Sequence, residues 1–212
     1  MEEQFWKQKW QDNEIFFHEG QPNHLMLRHI GSLALHPGAR VFVPLCGKSY
    51  DLHWLRQQGY DVVGAELSQI AIDQLFEELN LQPTIEPIGA LLRYTAPGMT
   101  IFVGSIFALD AATLGPIDAI YDRAAMVALP KPLREQYIAH LDTLAASAPR
   151  LLITFTYDQT LQAGPPFSLD EQLIHHDLGT AHKLTLLETA DVPGGLKVKC
   201  PATESAWLVE SH

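Results

Sequence analysis

Gly47 and Glu66 are the residues whose types and spacing first suggest chemistry. Each stands at the end of a short apolar run, "ARVFVPL" (39–45) and "DVVGAEL" (61–67), and they lie 19 residues apart. In an open α/β sheet, ligands bind beyond the carboxyl ends of the strands, beside the first of them. A glycine there lets the backbone approach a ligand closely. A carboxylate at the tip of the second strand can accept hydrogen bonds from both hydroxyls of a ribose. Taken singly, Gly47 is equally a plain turn and Glu66 a surface carboxylate; together they point to a nucleoside. The loop "PLCGKSYD" holds one glycine, not the G-x-G-x-x-G that seats a pyrophosphate, which argues against a dinucleotide.

The elements that must position these residues are legible as alternating patterns. "YDLHWLRQQG" follows the first strand, with Leu52 and Leu55 on one helical face, Ser49 as a candidate cap and Gly59 as a stop. Ser68 is placed to cap "QIAIDQLFEELN", whose Ile72, Leu75, Phe76 and Leu79 form an apolar stripe. "TIFVGSI" (100–106), "IDAIYD" (117–122) and "RLLITFTY" (150–157) read as further strands, and "LREQYIAHLDTLAA" as a helix. "HKLTLLET" and "ESAWLVE" alternate across a Pro193-Gly194-Gly195 turn, as an antiparallel pair would. The expectation is a mostly parallel seven-stranded α/β sheet with an antiparallel closing strand, helices on both faces. Residues 1–212 form a single domain in this reading, with an arm over 1–36 and the core over 37–212.

Composition narrows the class. The 212 residues carry a formal charge of −11 spread without a basic stripe, which disfavours a nucleic-acid partner. No apolar run is long enough to span a bilayer. Cys46 and Cys200 have no metal or redox spacing, which fits a reduced cytoplasmic setting. Cys46 reads as a small packed residue of the loop. His175-His176-Asp177 is the tightest histidine cluster, but neighbours on a helix point about 100° apart. A solvated helix end is expected there, and no metal.

Several strings go further. "WKQKWQDNEIFFHEG", "VFVPLCGKSYDLHWL", "VVGAELSQIAI", "SIFAL", "IYDRAAMVALP" and "TYDQTLQAGPPF", in this order from Trp6 to about Phe167, resemble the thiopurine S-methyltransferases. The bacterial members include those linked to tellurium and selenium methylation. The resemblance implies a Rossmann-like class I fold, S-adenosyl-L-methionine as cofactor, S-adenosyl-L-homocysteine as product and a small-molecule sulfur acceptor. A monomer is expected because no long exposed apolar stripe remains once the sheet is covered. The resemblance puts Trp6, Trp10 and Phe17 around cofactor and acceptor, with Phe17 nearer the acceptor. It puts Leu45 and Gly47 at the methionine portion, Glu66 at the ribose, Ser105 and Ile106 at the adenine, and Arg123 both against the cofactor and near the reacting sulfur. Trp6 and Trp10, four residues apart, share a helical face. That makes the arm either a helix stapled to the core or a lid with an aromatic wall, and the resemblance favours the lid.

The implied reaction is an in-line displacement by a sulfur nucleophile, favoured by a dry pocket because charge disappears in it. No general base is assigned. Arg123, beside Asp122 at a strand tip, either stabilises an anionic acceptor or simply pairs with a carboxylate. Asp158 and "GPPF" (164–167, including Pro166) are expected to shape the acceptor pocket. The chain departs from the family near its end, where no arginine follows Arg150 and Lys197 and Lys199 are the cations of the last connection. Selenium or tellurium compounds, halides and small aliphatic thiols are the alternative acceptors; a non-catalytic binding module is the alternative from another class.

Overall fold

The computed structural model describes residues 3–15, 18–145, 148–197 and 200–212. In chain order the first elements are α1 (Glu3–Gln11), α2 (His24–His29), β1 (Arg40–Pro44), α3 (Tyr50–Gln57), β2 (Asp61–Glu66) and α4 (Gln69–Glu78). The hairpin strands β3 (Thr84–Ile88) and β4 (Leu91–Ala96) follow, then β5 (Met99–Val103), the short α5 (Ala111–Leu114) and β6 (Ala119–Arg123). Last come α6 (Lys131–Ala145), β7 (Arg150–Tyr157), α7 (Glu171–Leu178), β8 (His182–Asp191) and β9 (Ala202–Ser211). They fall into two compact units. One runs up to Asn23 and resumes over Leu35–Ile120; the other combines His24–Ala34 with Tyr121–His212. The N-terminal arm is thus divided between the two.

In the first unit the strand order is β3-β4-β5-β2-β1-β6. β1, β2 and β5 run parallel, and β6 begins parallel to β1 through Val41↔Ala119 and Phe42↔Ile120. Val41, Phe42, Val62, Val63 and Ile101 are buried, as are Leu52 and Leu55 of α3 and Ile72 of α4. Each such side chain contributes roughly 1.5–3 kcal/mol relative to exposure. Both expected caps form: the Ser49 hydroxyl accepts from the Asp51 N–H at 3.1 Å and the Ser68 hydroxyl from the Ala71 N–H at 3.4 Å. α1 packs on α4 and buries Trp10.

In the second unit the strand order is β6-β7-β9-β8, with β9 antiparallel to both neighbours. The expected closing pair is therefore present, its connection turning at Gly194 and Gly195 with φ of 76° and 77°. α6 buries Tyr137, Leu141 and Leu144 at the predicted helical spacing.

The seven-stranded expectation is corrected to nine strands among the described residues. The additional pair is the antiparallel hairpin β3-β4, which joins the edge of β5. β3 escapes a hydrophobicity reading because four of its five residues are exposed, and it carries Pro87 in mid-strand. Proline is tolerated there because an edge strand has one row of N–H groups facing solvent.

Candidate functional site

The loop between β1 and α3 is bent into a shape that few sequences adopt. Leu45 lies at φ 46° and Gly47 at φ 52°. For Leu45, a residue with a side chain, the left-handed conformation costs roughly 1–2 kcal/mol. The surroundings hold it: the Cys46 N–H reaches the Ala65 carbonyl at 3.0 Å, and the Ser49 N–H reaches the Cys46 carbonyl at 3.3 Å. Cys46 is buried beneath the loop, as expected, and burial together with the Glu66 charge pushes its thiol pKa up.

Glu66 organises this end of the sheet. Its Oε2 accepts from the Gly47 N–H at 2.8 Å and its Oε1 from the Ser68 N–H at 2.8 Å. Its own carbonyl accepts from the Gly104 N–H at 2.9 Å, which ties the tip of β5 to the tip of β2. The side chain is only 6% exposed. Burial raises the carboxyl pKa, and the N–H bonds from Ser68, Gly47 and Leu67 oppose that rise. A carboxylate offers about four acceptor sites, so these backbone donors do not exhaust it. The spacing of Gly47 and Glu66 is a direct contact.

Trp10 closes over the same loop. A Cβ added to Gly47 would stand 3.2 Å from the indole Cζ2, a tight contact that the ring would have to yield to by a few tenths of an ångström. Trp6 is half-buried and meets Phe5 edge-on, with centroids 5.3 Å apart. Ser105 and Ile106 follow β5 directly, Ser105 half-buried and Ile106 buried. Trp10, Leu45, Gly47, Glu66, Ser105 and Ile106 thus gather at the strand tips of the first unit. Phe17 lies outside the described residues; His18 stacks at 5.8 Å on Tyr50, the first residue of α3.

In the second unit, Asp122 and Arg123 end β6. Asp122 is fully buried: Oδ1 accepts from the Met126 N–H at 3.1 Å and Oδ2 from the Tyr137 hydroxyl at 2.8 Å. Burial raises its pKa, and Arg150 and these donors oppose the rise. Successive strand residues point to opposite faces, so the half-buried Arg123 leaves from the other face. Ala124 follows at φ 63°, a second strained position at a strand tip. Asp158 is exposed and closes a turn, accepting from the N–H and hydroxyl of Thr160 at 3.0 and 2.7 Å. The Pro166 carbonyl accepts from the Tyr157 hydroxyl at 2.5 Å, and the Phe167 N–H reaches the Val127 carbonyl at 2.6 Å. Tyr157 carries no signal of its own in the sequence, where it is one aromatic ending an apolar run.

Two other features are resolved. The solvated helix end expected at His175-His176-Asp177 is corrected for Asp177, which is buried and paired with Arg134 at 2.9 Å. Among the described residues no cluster of His, Cys, Asp and Glu could hold a metal. A groove of about 370 Å³ opens on the face of β3, β4 and β5, lined by Thr84, Thr95 and Thr100 with Arg40 and Arg93. Its cations are already paired, Arg93 with Glu86 and Arg40 with Asp61.

Comparison with known proteins decides the family. The family description "Thiopurine S-methyltransferase (TPMT)" matches residues 1–205. The chain belongs to the thiopurine S-methyltransferase family. A thiopurine S-methyltransferase of Xanthobacter autotrophicus is 50% identical over 211 residues, covering 99% of each chain. One from Gluconobacter oxydans is 50% identical over 203 residues, covering 96% of this chain and 92% of its own. A crystal structure of a SAM-dependent methyltransferase from Anabaena variabilis superposes with a TM-score of 0.66 at 13% identity, covering 99% of this chain and 95% of that one. That likeness shows the class I methyltransferase fold.

Chemically, the strand tips of the first unit suit a vicinal diol better than a phosphate. Glu66 is an acceptor only, with lone pairs to spare. The loop's positive-φ glycine is single, and its N–H is already committed to that carboxylate. No helix of the described residues is long and apolar enough to cross a membrane.

Proposed function

We propose that this S-adenosylmethionine-dependent methyltransferase transfers its methyl group to a soft sulfur acceptor of the thiopurine type. The observation that carries the reading is the Glu66 carboxylate, buried between the Gly47 and Ser68 N–H groups with acceptor capacity left over. Such a group suits a ribose. When bound, S-adenosylmethionine supplies an electrophilic methyl on a positively charged sulfur. The chain's residues do the rest. Glu66 accepts from the ribose hydroxyls, Leu45 and Gly47 receive the methionine portion, and Ser105 and Ile106 flank the adenine. Trp6 and Trp10 exclude water, and their faces attract a sulfonium by roughly 0.5–2 kcal/mol.

On the acceptor side, Arg123 stabilises an anionic sulfur electrostatically, and Phe17, Asp158 and Pro166 shape the pocket. The alternation of side chains at the end of β6 puts Arg123 on the face opposite the buried Asp122, which supports its placement at the acceptor. A thiol acidic enough to ionise near neutrality needs no general base, and most acceleration comes from alignment. Selenium and tellurium compounds, halides and small aliphatic thiols share the soft-nucleophile character and are the competing acceptors. In this reading the enzyme is a cytoplasmic monomer serving detoxification, with Cys46 and Cys200 reduced.

The test is a screen of sulfur, selenium and tellurium acceptors with labelled S-adenosylmethionine, beside a calorimetric titration of the cofactor. Methylation of a thiopurine thiol is expected. Absence of cofactor binding would overturn the reading, and labelling of selenium, tellurium or halide alone would reassign the acceptor.

A further inference from the structure

We infer that Tyr157 is a positioning residue for the methyl acceptor, because its single phenolic proton sets where the rim loop 158–168 lies. The inference rests on the reading above and deepens it. Tyr157 is the last residue of β7, its ring buried in a small cluster with Leu196, Cys200 and Ala202. Its hydroxyl reaches two main-chain acceptors, the Pro166 carbonyl at 2.5 Å and the Gln162 carbonyl at 3.1 Å. One proton serves both in a three-centre arrangement. Burial and the neighbouring Cys200 push the phenol pKa up, so the proton stays in place.

The loop needs such donors because of its composition. Pro165 and Pro166 have no N–H, so this stretch offers carbonyls and cannot organise itself by main-chain bonds. Each proline carbonyl is met by a side chain instead: Pro166 by Tyr157, and Pro165 by the Lys197 ammonium at 2.8 Å. The backbone of Tyr157 anchors the far end as well, its N–H donating to the Ser168 hydroxyl at 3.0 Å. Phe167 then bonds Val127, three residues beyond Ala124 in the turn that follows Arg123. A shift of the proline stretch is therefore transmitted to the segment beside Arg123, all within one unit. The Tyr157 bonds are neutral and the Lys197 bond is exposed, so losing either moves the rim without unfolding the unit.

The experiment compares wild type with Tyr157→Phe and Lys197→Met, using mercaptopurine as acceptor at saturating S-adenosylmethionine. Calorimetry with S-adenosylhomocysteine and hydrogen exchange are run in parallel. For Tyr157→Phe the acceptor KM should rise roughly three- to tenfold, the size of one lost hydrogen bond. S-adenosylhomocysteine affinity should stay within about twofold, and exchange should quicken in 158–168. Lys197→Met should move KM in the same direction by less. An unchanged KM in a folded Tyr157→Phe overturns the inference, and so does a parallel loss of acceptor and cofactor affinity, the sign of a merely structural tyrosine. Should Tyr157→Phe fail to fold, an unchanged KM in Lys197→Met overturns it. A wild type inactive on every thiol strikes the proposed function instead.

Discussion

The two units hold their strand-tip loops by opposite chemistry. In the first, main-chain N–H groups of Gly47 and Ser68 converge on one buried carboxylate. In the second, side chains reach outward to main-chain carbonyls, Tyr157 to Gln162 and Pro166, Lys197 to Pro165. Hydrogen bonds to a buried ionised group are worth about 1.5–3 kcal/mol and neutral ones, such as those of Tyr157, nearer 1; the Lys197 bond is charge-assisted but exposed. A loop built on the first kind is stiff and intolerant of change. A loop built on the second can be re-aimed by single substitutions. The contrast suits a constant cofactor and an adjustable acceptor.

The largest effect that can break this comparison is expected at Arg123. Arg123→Ala should lower kcat by about 10²–10³, the usual cost of removing a preorganised electrostatic group, with cofactor affinity nearly unchanged. Normal turnover would remove the acceptor side's only assigned cation from the account. Next comes Glu66→Gln, which leaves one of the two N–H donors facing an amide. It should weaken S-adenosylmethionine binding about 10- to 100-fold by calorimetry. Affinity within a factor of two of wild type would mean the carboxylate is purely structural.

Gly47→Ala is the finer probe. It forces a Cβ at φ 52° to 3.2 Å from Trp10. It should cost about 1–2 kcal/mol of stability and shift the tryptophan emission as the indole is displaced. Unaltered emission would show that the loop yields and the indole stays in place.

The smallest effect, and the sharpest in sign, is the pH dependence of two glutamates. Glu66 has a pKa raised above 4.5 by burial. Its contribution to stability is therefore fully present below 4.5 and lost as pH rises through its folded value. Glu188 of the second unit has a pKa lowered from 4.5 by the bond from His29, with Arg28 adding to it. Its contribution is present above 4.5 and lost as pH falls through its folded value. Thermal melts from about pH 4 to pH 8 should show Glu66→Gln losing ground to wild type on acidification and Glu188→Gln gaining on it. Changes of the same sign would mean that the two carboxylates are held alike.

What the amino-acid sequence determined by itself was everything carried by local pattern. The apolar runs of β1, β2 and β7, the serine caps of α3 and α4, the closing pair β8-β9 and the Gly47–Glu66 spacing were all legible, because each depends on neighbours within a few residues or on a known order of strands. The tertiary structure decided the rest. It added β3-β4, whose exposed outer strand has no buried face to advertise it. It buried Asp177 against Arg134, 43 residues away. It folded Leu45 into a left-handed turn, and it gave Tyr157 two carbonyl partners beyond its own strand. Charge pairing, backbone strain and shared protons arise from groups brought together only on folding, so no window of sequence contains them.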